Sequence, residues 1–205
     1  MKWVVSTQNR DKLREIRAAL SDLPVTLVDL SQFPRIGAVE ETGTSLQENA
    51  LLKAETIHRF TGLPAIADDT GLEVDALDGA PGVYSARFAG QDATYADNRQ
   101  RLLEALKGVP DDARTARFRT VAVLVDSGER IVAEGEIGGR IAASPRGANG
   151  FGYDPIFIPE GSDLTFGQMT SEAKQEISHR TRAFVALSAR LVHRFPRTTD
   201  KETAA

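Results

Sequence analysis

An α/β fold with a mixed central sheet flanked by helices is the architecture this sequence predicts. Three observations carry the expectation. From Lys2 to Gly71 short β-branched runs alternate with amphipathic stretches, the pattern of strands joined by helical crossovers. From Ala116 to Ala143 strand-like runs follow one another with no helical stretch between them, which implies an antiparallel portion. The 205 residues, 41% hydrophobic and 26% charged, suit a globular chain that buries its own core without disulfides or a structural metal.

Lys2 to Ser6 reads as the first strand, and Thr7-Gln8-Asn9 as a polar turn. Leu13, Ile16 and Leu20 recur at helical spacing, which predicts an amphipathic helix from Asp11 to Leu20 capped by Asn9 or Thr7. Asn9 and Lys12 share one face of its first turn. Unpaired helix-start N–H groups beside a lysine can bind an anion; a plain capped helix with a solvated lysine is the other reading. Val25 to Asp29 is a second strand, and irregular chain from Ser31 to Gly43 carries Glu40-Glu41. Ser45-Leu46-Gln47-Glu48 fits a capping box. The helix it opens puts Leu46, Ala50, Leu51, Ala54 and Ile57 on one face and Asn49 with Lys53 on another, until Gly62-Leu63-Pro64 stops it.

Ala65-Ile66-Ala67 then reads as the end of a buried strand, followed by Asp68, Asp69, Thr70 and Gly71 and a second extended piece, Leu72 to Val74. Asp and Gly are poor strand formers, so the acid pair has two readings: a self-bonded turn, or two acids at a strand end that hold a divalent cation or activate water. Gly79 to Gly82 is a turn, Arg87 stands between Tyr84 and Phe88, and Thr94 to Leu106 is a helix. Ala116 to Asp126 and Arg130 to Glu136 are strands joined at Ser127-Gly128-Glu129, with a bulge expected at Gly138-Gly139 before Arg140 to Ala143. The glycine-rich run Pro145 to Pro155 carries Phe151, Gly152, Tyr153 and Asp154, and Ile156 to Ile158 is a short strand. Thr170 opens a helix that holds Lys174 and leads into Ser178-His179-Arg180. A last helix places Phe184, Leu187, Leu191 and Phe195 on one side, Pro196 ends it, and Arg197 to Ala205 is expected to be a disordered tail.

The chain has no cysteine, which excludes thiol chemistry and cysteine-based zinc sites. Its N-terminus offers no signal-peptide apolar region and no membrane span, so a cytoplasmic setting is expected. A net charge of −4 argues against a polymeric nucleic-acid partner and leaves a small anion held by local cations. Acids in two pairs, cations at Lys12, Lys53, Lys174 and Arg180, and an aromatic loop are complementary: together they are what a metal-bound nucleoside triphosphate requires.

The residues carry a resemblance over nearly the whole chain. Ordered blocks run Ser6 to Lys12; Glu40-Glu41-Thr42-Gly43 with Glu48-Asn49-Ala50 and Lys53; Ala67 to Leu72; Gly79 to Arg87; Gly150 to Pro155; and Ser178-His179-Arg180. Taken in order, they resemble the inosine triphosphate pyrophosphatases, the noncanonical purine NTP pyrophosphatases, and their bacterial dITP/XTP branch above all. Gln8 stands where that family commonly has glycine, and Thr70 where it commonly has serine.

The resemblance implies an elongated two-lobed α/β domain over residues 1–196, with the nucleotide in a cleft between lobes, and a homodimer. It implies hydrolysis of ITP, dITP or XTP between the α- and β-phosphates, with Mg²⁺ as cofactor and Mn²⁺ as a substitute. By block matching, Thr7, Gln8, Asn9, Arg10, Asp11, Lys12 and Lys53 would hold phosphates, and Asp69 would be the base that activates water. Glu40 or Glu41 would hold the metal with Asp69, and Phe151, Gly152, Tyr153, Asp154, Lys174, His179 and Arg180 would hold base and sugar, with Thr70 beside them. Donors from His179 and Arg180 toward the purine 6-carbonyl would exclude adenine. The rival readings are a Maf-like pyrophosphatase acting on pyrimidine or methylated nucleotides, and a non-catalytic nucleotide-binding module.

Overall fold

A computed structural model describes residues 1 to 191; the expected end of the last helix at Phe195-Pro196 and the expected disordered tail lie outside the described residues. The elements in chain order are β1 (Lys2–Val5), α1 (Arg10–Ala19), β2 (Thr26–Asp29), α2 (Leu46–Thr61), β3 (Ala65–Val74), β4 (Pro81–Gly82), α3 (Tyr95–Ala105), β5 (Thr115–Asp126), β6 (Glu129–Ile141), β7 (Phe157–Pro159), α4 (Ser171–Ile177) and α5 (His179–Ala189). They build a mixed α/β fold. One sheet runs in the order β2-β1-β3-β5-β6-β7, with β4 paired to β3. β1 is parallel to β2 and β3, and every other pairing is antiparallel.

Helices cover both faces of the sheet. Ile16 and Leu20 of α1 and Phe184 and Leu187 of α5 pack with Trp3, Val5, Ile66 and Leu124 on one face. On the other, Leu46, Ala50 and Ala54 of α2 pack on Ala67, Val121 and Val123. The far end of the sheet joins α3 through Leu102 and Leu106 to Leu72, Phe118, Phe157 and Phe166.

The acid pair does not break the strand. β3 is continuous from Ala65 to Val74 and pairs with β5 without interruption, so the expected turn or strand end at Asp68-Asp69 is corrected to mid-strand. Tertiary contact overrides the poor strand propensity of Asp, as ion partners meet both carboxylates. The opposite edge of β3 is different. β1 pairs with it only at Ala65 and Ile66, and β4 only at Leu72 and Glu73, so the ladder opens beside Asp68, Asp69 and Thr70.

The expected bulge at Gly138-Gly139 is also absent: β6 keeps one register against β5 through both glycines. Close approach explains the glycine instead, because a Cβ on Gly139 would stand 2.2 Å from the Ile158 carbonyl oxygen of β7. Gly135 has the same function under α5, where a Cβ would stand 2.2 Å from Ala183 N and 2.4 Å from the His179 carbonyl oxygen. That contact seats the first turn of α5 on the sheet. Gly135→Ala should destabilise the fold by about 1–3 kcal/mol, the usual cost of overpacking. Urea unfolding tests it: the midpoint should fall, and an unchanged midpoint would mean that α5 is not seated by this contact.

Candidate active site

Successive residues of a strand point to opposite faces of the sheet, and this separates the two acids. Asp68 faces α1 and α5. Its Oδ2 lies 3.2 Å from Lys12 Nζ and accepts from Arg180 Nε at 3.2 Å and from the Thr70 hydroxyl at 3.1 Å. Asp69 faces α2. Its Oδ1 accepts from Lys53 Nζ at 2.9 Å and its Oδ2 from Asn49 Nδ2 at 3.4 Å. The same Lys53 ammonium donates to Glu41 Oε1 at 2.8 Å.

The two carboxyls are driven apart chemically. Burial alone would raise Asp68, but Lys12 and Arg180 overcome it and hold that carboxyl well below the usual carboxylate range. For Asp69 burial prevails over the attraction of Lys53 and Lys12, so it is raised. Asp68 is thus a fixed anion, while Asp69 binds a proton more readily, the property of a general base.

A cavity of about 150 Å³ lies at the opened edge of β3. Asn9, Lys12, Glu41, Asp69, Thr70, Phe151, Gly152, Tyr153, Asp154, Lys174, His179 and Arg180 all line it. Most of the residues singled out in sequence therefore meet in one place, drawn from both faces of the sheet. Lys53 reaches it through Asp69 and Glu41.

Besides Lys53, five of the expected residues are not part of the lining. Thr7, Gln8 and Arg10 border a separate depression beside Asp29 and Ser31. Asp11 pairs with Arg14 at 3.0 Å. Glu40 is exposed, and of the two glutamates it is Glu41 that faces Lys53 and the cavity. The expected free N–H groups at the start of α1 are already engaged, because Asn9 Oδ1 accepts from Asp11 N at 2.9 Å and from Lys12 N at 3.2 Å.

The far wall is a buried ion network. Lys174 Nζ donates to Asp154 Oδ2 at 2.6 Å and to Glu15 Oε1 at 2.8 Å, and Arg180 Nη1 donates to Glu15 Oε2. Arg180 Nη2 also donates to Thr70 Oγ1 at 3.0 Å. With three of its groups on Asp68, Glu15 and Thr70, Arg180 is largely committed to protein partners. His179 is different. Its ring stacks on Phe118 with centroids 4.5 Å apart, and its Nδ1 is buried with no hydrogen-bond partner in the protein. Burial, then the cations Arg180 and Lys174, drives its pKa well below the ordinary value, so the ring is neutral.

Sequence reasoning missed Glu15, Tyr95, Asn98 and Phe118. The sequence held a signal for Glu15, which is three residues from Lys12 on the same face of α1. It held none for Tyr95 or Phe118, which reach the cavity only through tertiary packing.

Among the described residues, no group of three or more His, Cys, Asp or Glu is arranged to hold a metal, and no helix is long and apolar enough to cross a membrane. Mg²⁺, however, is commonly held by one or two carboxylates together with substrate phosphates. The hard oxygens of Glu41 and Asp69, drawn to one ammonium at the cavity wall, fit that mode.

The family model described as the Ham1 family matches residues 3–190. The dITP/XTP pyrophosphatase of Geobacter sulfurreducens is 50% identical over 93% of this chain and 96% of its own length. That of Listeria monocytogenes is 45% identical over 98% of this chain and 99% of its own length. Among solved structures, a HAM1 protein from Coxiella burnetii superimposes with a TM-score of 0.85 at 40% identity, covering 94% of this chain and 99% of that one. With a match across almost all of its described length, the chain belongs to the Ham1 family.

Proposed function

We propose that this chain hydrolyses noncanonical purine nucleoside triphosphates, dITP, XTP and ITP, to the nucleoside monophosphate and pyrophosphate, with Mg²⁺ as cofactor. The observation that carries the reading is the single cavity in which a raised carboxyl, Asp69, a second acid, Glu41, and the cations Lys12 and Lys174 meet an aromatic ring, Phe151. The names of the relatives supply the substrate class.

Asp69 takes the proton of a water whose oxygen attacks the α-phosphorus. The bond from that phosphorus to the bridging oxygen breaks, and pyrophosphate leaves. Lys12, anchored by Asp68, faces the phosphate oxygens, and Lys53 holds Asp69 and Glu41 side by side. When bound, Mg²⁺ neutralises phosphate charge and favours the leaving group, and Glu41 with Asp69 would hold it.

Phe151 offers a stacking surface, with Lys174 Nζ 4.8 Å from its ring centroid. In its Nδ1–H tautomer, neutral His179 can donate from this unpaired nitrogen to a purine carbonyl, whereas an adenine amino group offers that N–H no acceptor. Arg180 holds the site together rather than reading the base. A homodimer of two-lobed domains belongs to the same reading, as the family resemblance implies.

A panel of nucleoside triphosphates tests the activity. With Mg²⁺, dITP and XTP should give pyrophosphate and monophosphate, ATP should react far more slowly, and EDTA should stop turnover. Release of single phosphates, a preference for pyrimidine or methylated substrates, or full activity without metal would contradict the reading. Asp69→Asn should lower kcat by about 10²–10⁴-fold, the usual contribution of a general base. A variant keeping more than about a tenth of wild-type kcat would remove Asp69 from the chemistry.

A further inference from the structure

The cavity is too small for its proposed substrate. At about 150 Å³ it falls below the ~300–1,000 Å³ usual for ligand sites, so it must widen before a nucleotide enters. One side of its wall is fixed: Tyr153, Lys174, His179 and Arg180 are buried, and ion pairs or ring packing hold the last three. Tyr95 is the contrast. It opens α3, lines the cavity, and is 44% exposed.

Two contacts tie Tyr95 across the cavity. Its hydroxyl accepts from Asn9 Nδ2 at 2.9 Å, and Asn9 caps α1. Its ring lies 6.1 Å from that of Phe151, tilted by 44°. A planar base touching both rings needs about 7 Å between them, twice the carbon contact distance of ~3.5 Å. At 6.1 Å and 44° the two rings are in tilted contact, so a base entering between them must displace and turn one ring, and Tyr95 is the exposed one.

We propose that Tyr95 is a substrate-contacting residue, the second aromatic wall that closes over the nucleobase opposite Phe151. The proposal rests on the pyrophosphatase reading and deepens it, because it assigns half of the base clamp to a residue with no other role in the mechanism. Stacking is indifferent to which base it covers, and equal in the ground and transition states. Tyr95 thus contributes affinity for dITP and XTP alike, while base selection stays with His179.

Steady-state kinetics on dITP and XTP with Mg²⁺ test it in wild type, Tyr95→Ala and Tyr95→Phe. Tyr95→Ala should raise KM about fivefold or more for both substrates with kcat within about twofold, the pattern of lost uniform binding. Tyr95→Phe restores the ring without the hydroxyl and should bring KM back to within about twofold of wild type. An unchanged KM in Tyr95→Ala would overturn the proposal. So would a Tyr95→Phe variant as impaired as Tyr95→Ala, because the hydroxyl bond to Asn9 would then be the active element. A fall in kcat matching the rise in KM would overturn it too, by assigning Tyr95 to the alignment of the chemistry. A wild-type chain that turns over neither substrate would instead fail the pyrophosphatase reading itself, separately from any pattern among the variants.

Discussion

The structure depends on one buried carboxylate. Asp68 stands in mid-sheet with its side chain sealed from solvent, which is tolerable only if cations meet it. Two do: Lys12 from α1 and Arg180 from α5. The requirement works in both directions, since neither cation could be buried there without the anion. Satisfying it brings the start of α1 and the start of α5 to the same point of β3, beside the edge where the ladder opens. Glu15 extends the arrangement by joining Arg180 to Lys174, and Lys174 holds Asp154 of the glycine-rich loop. Segments far apart in the chain are thereby fixed around one cavity.

Strand geometry then divides the work. Adjacent carboxylates in a turn would share one environment and repel each other. In a strand they face opposite helices and different partners. Asp68, with two strong cationic partners, stays charged and structural. Asp69, with Lys53 shared between itself and Glu41, keeps a raised pKa and faces the cavity. The strand's pleat therefore gives two identical side chains one residue apart opposite environments, one a paired anchor and the other a raised carboxyl at the cavity.

Much of this was legible in the sequence. Local rules found α1, capped by Asn9, one of two candidates, α2 with its cap at Ser45, α3, and the antiparallel pair of β5 and β6. The blocks around Asp69, Phe151 and His179 hold much of the cavity wall, and Asn9, Lys12, Glu41 and Lys174 add to it. Local rules failed where tertiary partners decide. Asp68 and Asp69 read as a turn or a strand end because strand propensity sees no Lys12, Lys53 or Arg180. Gly138-Gly139 read as a bulge because the approach of β7 is not a local property. Sequence likewise does not reveal that Asp68, Glu15 and Thr70 engage three of the N–H groups of Arg180. Glu40 and Glu41 were equivalent as sequence, and only the direction of the chain before α2 separates them.

Asp68 organises the site as a structural anion. Its folded pKa lies below the unfolded value near 3.9, so its stabilisation is present above that pH and is lost as pH falls through the folded value. Urea unfolding of wild type and Asp68→Asn across pH 3 to 8 tests this directly. The expected result is a loss of about 3 kcal/mol or more at pH 7, the cost of leaving buried cations without their partner, and a gap that narrows below about pH 4, where Asp68 of the unfolded wild-type chain takes up a proton. Equal stability at pH 7, or a gap that does not change with pH, would contradict the claim that this carboxylate organises the site.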